Sequence, residues 1–349
     1  MTWRSGVLAL ALVAGPACDT RGEPAGGRVG LTARPATTME KYAWLASNSG
    51  PNGCPMEIVG GDFFFPGGSL YIPEATVHSG WGQDVSVHVT GDAEKPLPER
   101  VDVVFFSFLE NRFYRGRFAL PRDSIARLFK DGFRRLNPPG ERGTYDALVA
   151  GVAPGGAVAV WASGSDRQVE VFFGQAEPAV IDFHRAFDLP DTMERGAFVA
   201  GELAQAAKSD SLVRPMMQRV PVGRWAAYRT RYHWRPAFER MDAPTRIAPV
   251  HFLNGERDYL LLPLDAAAEQ AARPVPEFLA FADRASGRSY EITLAAEEAL
   301  AAFQRLGAGG RALELVFAAG GPGGLRMFVR GAAGAVELRR AKVARFGAA

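Results

Sequence analysis

Hydrophobic and polar positions follow two periods along this chain, near two in many short stretches and near 3.6 in a few longer ones, which predicts strands punctuated by helices. Residues 56–65 and 69–73 flank Pro66-Gly67-Gly68 and predict a hairpin. Residues 84–89 alternate through Val85, Val87 and Val89 and predict another strand. Residues 100–108 and 113–120 predict two strands around a turn at Leu109-Glu110-Asn111-Arg112. Pro121 then opens a helix that runs to about Lys130, because proline in a first helical turn forfeits no backbone hydrogen bond. Ile125, Leu128 and Phe129 form its apolar stripe, and Asp123 lies near its positive end. Residues 145–152, 157–163 and 168–173 predict three further strands, and residues 180–187 and 194–207 read as helices. Residues 336–345 alternate as a last edge strand whose basic side chains discourage edge pairing.

The same order of elements recurs. Tyr42-Ala-Trp44 is echoed by Tyr232-His-Trp234 and Leu70-Tyr-Ile-Pro73 by Leu260-Leu-Leu-Pro263, both displaced by 190 residues. Leu97-Pro-Glu99 returns as Val275-Pro-Glu277, the helix at 120–129 as 294–303, and Pro154-Gly-Gly156 as Pro322-Gly-Gly324, with the offset shrinking to 168. Five echoes in one order predict an internal duplication. The competing reading is that Ala- and Gly-rich sequence generates short matches freely. The expected fold is α+β: two related domains, 40–178 and a shorter 225–349, each a mostly antiparallel sheet with a helix packed on one face, joined by a helical connector at 179–224.

Composition narrows the function classes. Hydrophobic residues are 47% of the chain, enough for real cores. Forty Lys and Arg against 38 Asp and Glu leave a charge of +2, which argues against a nucleic-acid surface. Two cysteines supply neither a disulfide scaffold nor a thiolate zinc site. The amino terminus carries Arg4, an apolar run at 6–14 and Gly15-Pro16-Ala17-Cys18, which predicts a signal peptide over 1–17. Cys18 sits where a lipidation box places its modified cysteine, although Gly15 stands where such boxes usually carry Leu. The expectation is a palmitate-type lipid anchor on Cys18, a tether over 18–39 rich in Gly, Pro, Ala, Arg and Thr, and a place in the bacterial periplasm at the inner or outer membrane. The alternative is a soluble protein cut after Ala17, in which a Cys18–Cys54 bridge is conceivable. With Cys18 lipidated, Cys54 is the remaining thiol and reads as a buried structural residue.

Phe105-Phe-Ser-Phe-Leu-Glu110-Asn111-Arg-Phe-Tyr114-Arg115-Gly-Arg117 is the most specific stretch. Together with Gly80-Trp81-Gly82, residues 152–161, Val222-Gly-Arg-Trp225-Ala-Ala-Tyr228-Arg229 and Tyr232-His-Trp234-Arg235, it resembles the DUF2931 family of uncharacterised bacterial lipoproteins over about residues 40–265. The resemblance implies an exported protein and supplies no activity. Some such lipoproteins accompany lipase-type toxins, which implies an immunity role as one option.

Hydrolase chemistry needs a nucleophile and an oriented base, and no Gly-x-Ser-x-Gly elbow is present. Ser163, in Ala-Ser-Gly-Ser, is the nearest visual match. His78 and His88 are the one short histidine spacing and would make a metal pair only if a hairpin folded them together. The glycine-rich turns lack the Lys-Ser/Thr of a phosphate loop. Two clusters remain as binding or structural sites: Glu110, Asn111, Tyr114 and Arg115, and the interleaved Trp225, Tyr228, Arg229, Trp234 and Arg235. For the first, the bland reading is an ion pair and a turn cap; for the second, packing between the two copies. The sequence thus predicts no catalytic residue, metal or cofactor and no nucleic-acid partner. It predicts a membrane-tethered module that binds another protein. An envelope hydrolase with an unrecognised site and a purely structural lipoprotein are the alternatives.

Overall fold

The computed structural model describes residues 40–347, apart from residue 87 and residues 136–139, 242–246, 263, 266–267, 270, 284–286 and 321–323. The expected signal peptide over 1–17, Cys18 and the expected tether over 18–39 lie outside the described residues. The first half opens with β1 (Tyr42–Ala43), β2 (Leu45–Ser49) and the long β3 (Met56–Phe65). β3 turns back into β4 (Gly68–Tyr71), followed by β5 (Ala75–Val77) and β6 (Glu94–Lys95). Gly67 carries the turn at φ +89°, a left-handed conformation that favours glycine. β7 (Arg100–Ser107) and β8 (Arg112–Ala119) form a hairpin in register from Arg100↔Ala119 to Ser107↔Arg112. Asn111 stands in its turn at φ +48°.

Helix α1 (Arg122–Asp131) starts at Pro121, has Asp123 in its first turn and Lys130 in its last, and buries Ile125 and Phe129. Then come β9 (Phe133–Arg134), β10 (Arg142–Gly143), β11 (Ala147–Ala153), β12 (Ala157–Ser163), β13 (Gln168–Gln175) and β14 (Glu177–Ala179). Every residue of β11 and β12 is buried, which explains their continuous run of Ala, Val and Gly instead of alternation. The connector folds as α2 (Phe183–Ala186), α3 (Arg195–Ser209), α4 (Val213–Gln218) and α5 (Arg224–Tyr228). α3 lays Val199 and Leu203 on a phenylalanine cluster that contains Phe106, Phe108 and Phe113.

The second half runs β15 (Tyr232–Glu239), β16 (Ile247–Phe252), β17 (Arg257–Leu261), β18 (Ala272–Arg273), β19 (Pro276–Asp283) and β20 (Arg288–Thr293). After α6 (Ala296–Gly307) it closes with β21 (Leu313–Ala319), β22 (Leu325–Gly331), β23 (Gly334–Glu337) and β24 (Lys342–Phe346). Among the described residues the strands form a nine-stranded sheet (β2-β11-β12-β13-β17-β16-β19-β20-β24), a six-stranded sheet (β14-β8-β7-β3-β4, with β5 on β3) and a five-stranded sheet (β18-β15-β21-β22-β23). Two small ribbons, β1-β6 and β9-β10, complete the set. The fold is therefore α+β with mixed sheets. Where the pattern predicts one sheet per half, each half instead contributes to two, and the nine-stranded sheet runs through both.

Local geometry repeats across the halves. β2 pairs in parallel with β11, which leads the meander β11-β12-β13; β15 pairs in parallel with β21, which leads β21-β22-β23. Trp44 Nε1 donates to Pro96 O at 3.2 Å and Trp234 Nε1 to Pro274 O at 3.0 Å. A cation stands over each indole and donates to that residue's own carbonyl, Lys95 to Trp44 O at 2.7 Å and Arg273 to Trp234 O at 2.9 Å. Phe129 of α1 meets Tyr42 edge-on with centroids 5.7 Å apart, and Phe303 of α6 meets Tyr232 at 5.6 Å.

Three local expectations change. The described residues of 84–89 form no strand, because no sheet covers them: Val85 and Val89 are exposed. Residues 336–345 do not make one strand. The chain leaves β23 at Glu337, buries Leu338 and changes sheets before β24, which does carry a basic outer edge. The helix expected from 180 begins at Phe183, since Val180 and Ile181 precede the Asp182 cap, whose carboxylate accepts from Arg185 N.

Candidate functional site

The two halves meet where β13 and β17 pair through Gln168↔Arg257. Gln168 is buried, and its amide nitrogen donates to Gly82 O and Gly255 O, both at 2.6 Å. Its carbonyl accepts from Arg257 Nη2 at 2.9 Å, and the same nitrogen donates to Ser163 Oγ at 3.0 Å. The Gly80-Trp81-Gly82 loop thus sits directly on the turn at 252–256. A Cβ on Gly82 would lie 2.7 Å from Gly255 Cα, and both glycines have positive φ. Trp161 Nε1 donates to Asn254 O at 3.0 Å, while Trp81 meets Trp161 edge-on at 4.9 Å and tilts against Trp225 at 5.9 Å.

Two carboxylates sit beside this junction. Glu256 accepts from Arg231 Nη2 at 2.6 and 2.7 Å through its two oxygens, and Glu170 N donates to its Oε1 at 3.2 Å. Glu170, its side chain only 6% exposed, accepts from Arg229 Nε, while its Oε2 is buried without a partner. Burial pushes the Glu170 carboxyl up to about 7, with the Arg229 bond acting in the opposite sense. Arg229 also lies over the Phe173 ring at 4.8 Å.

A cleft of about 790 Å³ opens next to β17. Arg134, Arg167, Arg231, Arg257 and Arg273 line it. Its three carboxylates are already engaged: Glu256 as described, Asp258 by Arg167 Nη2 at 3.0 Å, and Asp265 by Ala268 N at 2.7 Å. Buried Phe252 and Leu260 belong to its apolar wall, and Tyr259 reaches across to donate its hydroxyl to Arg134 O. Five guanidinium groups against three carboxylates make this an anion-favouring concavity. Sequence reasoning missed it, because its residues span 134 to 273 and only the fold gathers them. The one local trace is charge density, in Arg134-Arg135 and Glu256-Arg257-Asp258.

The first sequence-predicted cluster divides. Glu110 accepts from Tyr114 Oη at 2.8 Å and from Gly155 N at 2.8 Å, tying the β7–β8 turn to the β11–β12 turn. Tyr114 is buried, stacks on Phe105 and is pushed up to about 12, first by burial and then by the Glu110 bond. Asn111 is exposed and instead receives Arg195, Nε to Oδ1 and Nη2 to O, each at 2.7 Å. Arg115 faces outward on β8 opposite Glu177. In the second cluster Trp225, Tyr228 and Trp234 are core residues, and burial holds Tyr228 up at about 12. Arg229 and Arg235 project outward. Arg235 bridges Glu269 at 3.0 Å and Glu314 at 2.8 Å.

The remaining chemical candidates are separated. His78 Nδ1 stands 3.9 Å from Asp210, and His88 Nδ1 is 2.7 Å from Tyr71 Oη. Ser163 closes β12, buried, with Arg257 on its hydroxyl. Cys54 is buried and its thiol is pushed up to about 12 by burial. Among the described residues no three His, Cys, Asp or Glu side chains are grouped to hold a metal, and no helix is long and apolar enough to cross a membrane.

A model of a family of proteins of unknown function, DUF2931, matches residues 31–208. No curated protein and no solved structure matches the chain. The matched region takes in the first half and the connector as far as α3, including the Glu110 turn, the Trp81 loop and Gln168. With just over half of its length matched, the chain belongs to the DUF2931 family.

Proposed function

We propose that this protein is a lipid-tethered periplasmic binding module, held at the bacterial inner or outer membrane through Cys18 and the tether at 18–39, and that it receives another protein in the cleft beside β17. The observation that carries this reading is the cleft itself: a large concavity at the junction of the halves, walled by more arginines than carboxylates, while Ser163 is buried with Arg257 on its hydroxyl and Cys54 is a buried thiol. Concave sites with a few convergent polar groups on apolar walls are where ligands bind.

The two halves are duplicated units, 40–178 and 225–349, joined by the connector at 179–224. The matched parallel strand pairs, the two indole-to-proline hydrogen bonds and the two cations over those indoles support this. The cleft lies at the junction between the units, with Arg134, Arg167, Gln168 and Val169 from the first and the rest of its lining from the second.

A photo-crosslinking side chain at position 134, in cells, tests the binding role. A stoichiometric crosslinked protein is expected from position 134 and not from position 346 on the outermost strand β24. Equal yields from both positions, or none from either, reject the reading. If the captured protein is a lipase-type toxin, the role is the immunity implied by the family resemblance; any other protein rejects immunity and keeps binding. A Cys18→Ala form that stays in the membrane fraction removes the lipid anchor from the account.

A further inference from the structure

Among the described residues β17 is paired along its whole length on one edge only. Its residues Arg257 to Leu261 pair with β16 from His251 back to Ile247, but its other edge meets β13 at a single position, Arg257↔Gln168. Because β13 and β17 run antiparallel, the residues beyond Arg257 lie opposite the chain before Gln168, which bends at 165–166 and forms no ladder with them. The backbone from Asp258 to Leu261 therefore borders the cleft without a neighbouring strand among the described residues. Tyr259 faces Pro249, which has no N–H, and the Tyr259 amide donates to its own neighbour, Asp258 Oδ1, at 2.8 Å. An amide satisfied by a local carboxylate marks a strand edge that an incoming strand can take over.

The cleft that this edge borders carries an excess of positive charge, five guanidinium groups against three carboxylates, although Asp258 and Asp166 stand close to Tyr259 and Asp84 lies 4.0 Å from Arg257. Arg167 flanks it, bonded to Asp258, and Arg134 lies across the cleft, reached by Tyr259. Arg257 closes the far end, held by Gln168 and Ser163. A strand that displaced Asp258 from the Tyr259 amide would also meet the guanidinium groups of Arg167 and Arg134, so the fitting ligand supplies carboxylates as well as main-chain groups.

Building on the proposed binding role, we infer that the cleft takes an extended acidic segment of the partner protein, which adds as a strand to the free edge of β17 and places its carboxylates on Arg134 and Arg167. Strand addition draws affinity from main-chain hydrogen bonds and selectivity from alternate side chains, the division offered here by a bare edge lined with arginines. The free edge favours a peptide over a lipid headgroup or free phosphate, neither of which has a backbone to pair.

The test uses the full chain in detergent and fluorescence anisotropy of a labelled eight-residue peptide of alternating Glu and Val. Saturable binding is expected, with at least a tenfold loss for the Gln-for-Glu peptide and for Arg134→Glu. Arg134 is exposed, and its contacts to Tyr259 and across the ribbon to Arg142 are made by its backbone, so its replacement leaves the fold in place, checked by an unchanged melting temperature. N-methylation of alternate peptide amides is expected to abolish binding if the backbone pairs with β17. Equal binding of the acidic and Gln peptides, or indifference to both N-methylation and Arg134→Glu, overturns the inference. So does competition by inorganic phosphate or anionic phospholipid vesicles that matches the peptide, which would assign the site to a simple anion or to a membrane. If crosslinking from position 134 yields a partner while the acidic peptide fails to bind, the segment chemistry is wrong and the binding role survives. If crosslinking fails, the binding role itself falls.

Discussion

Gln168 lies opposite Arg257 in the register pair that joins β13 to β17, and its side chain alone bonds the Gly82 loop, the Gly255 turn and Arg257. Replacing it by alanine strands two buried carbonyls and takes one acceptor from Arg257, which keeps Ser163. We expect Gln168→Ala to cost about 2–4 kcal/mol, read as a lower denaturant midpoint. A loss under about 0.5 kcal/mol would mean that water takes over these bonds without penalty.

Gly82→Ala separates crowding from backbone strain. At Gly82 a Cβ meets Gly255 Cα at 2.7 Å, whereas at Gly91, also with positive φ, the nearest atom is the flexible end of Lys95 at 3.9 Å. Gly91→Ala should cost about 1 kcal/mol from φ alone, and Gly82→Ala several times that. Equal midpoints for the two variants would place the junction under no packing constraint.

Glu170 sets a pH dependence. Its carboxyl is raised from 4.5 to about 7 in the folded chain, so the native state keeps a proton that the unfolded state releases. Its contribution is complete below about pH 4.5 and is lost as pH rises through about 7, on the order of 1–3 kcal/mol. Denaturation at a series of pH values should show stability falling across that window, and Glu170→Gln should flatten the fall. A slope unchanged in the variant assigns the effect to another group.

Trp44→Phe and Trp234→Phe each remove an indole donor to a proline carbonyl, at Pro96 and Pro274. Each should cost about 1–2 kcal/mol, with the two values alike if the halves use this contact in the same way. Calorimetry or denaturant titration reads both.

Cys54 should resist alkylation. In a Cys18→Ser form it is the remaining thiol, buried and raised to about 12. Labelling by iodoacetamide at pH 8 is expected to follow unfolding, and rapid labelling of the folded chain would place the thiol at the surface.

What could be read from the chain was whatever neighbouring residues encode. The β3–β4 hairpin, β7, β8, α1 and the meander follow local period and turn chemistry. The interleaving at 232–235 is likewise strand alternation, with Tyr232 and Trp234 inward and His233 and Arg235 outward. Alternation misled at 84–89, where valines repeat without a sheet to bury them. It misled again at 336–345, where one basic run serves two sheets. The pairing of Gln168 with Arg257, 89 residues away, leaves no local period, and the cleft that depends on it was invisible for the same reason.

Trp161 belongs to the region that defines the family, yet its indole hydrogen bond ends on Asn254, well past residue 208 where that region stops. Glu170 likewise finds its counter-charge at Arg229. A chain shortened to the family region would lose both contacts, together with Arg257 opposite Gln168 and the Glu256 carboxylate on Glu170 N, and would leave the β13 edge bare. Such a fragment should collect other copies of itself along that edge, so the second half acts toward the first as a built-in chaperone.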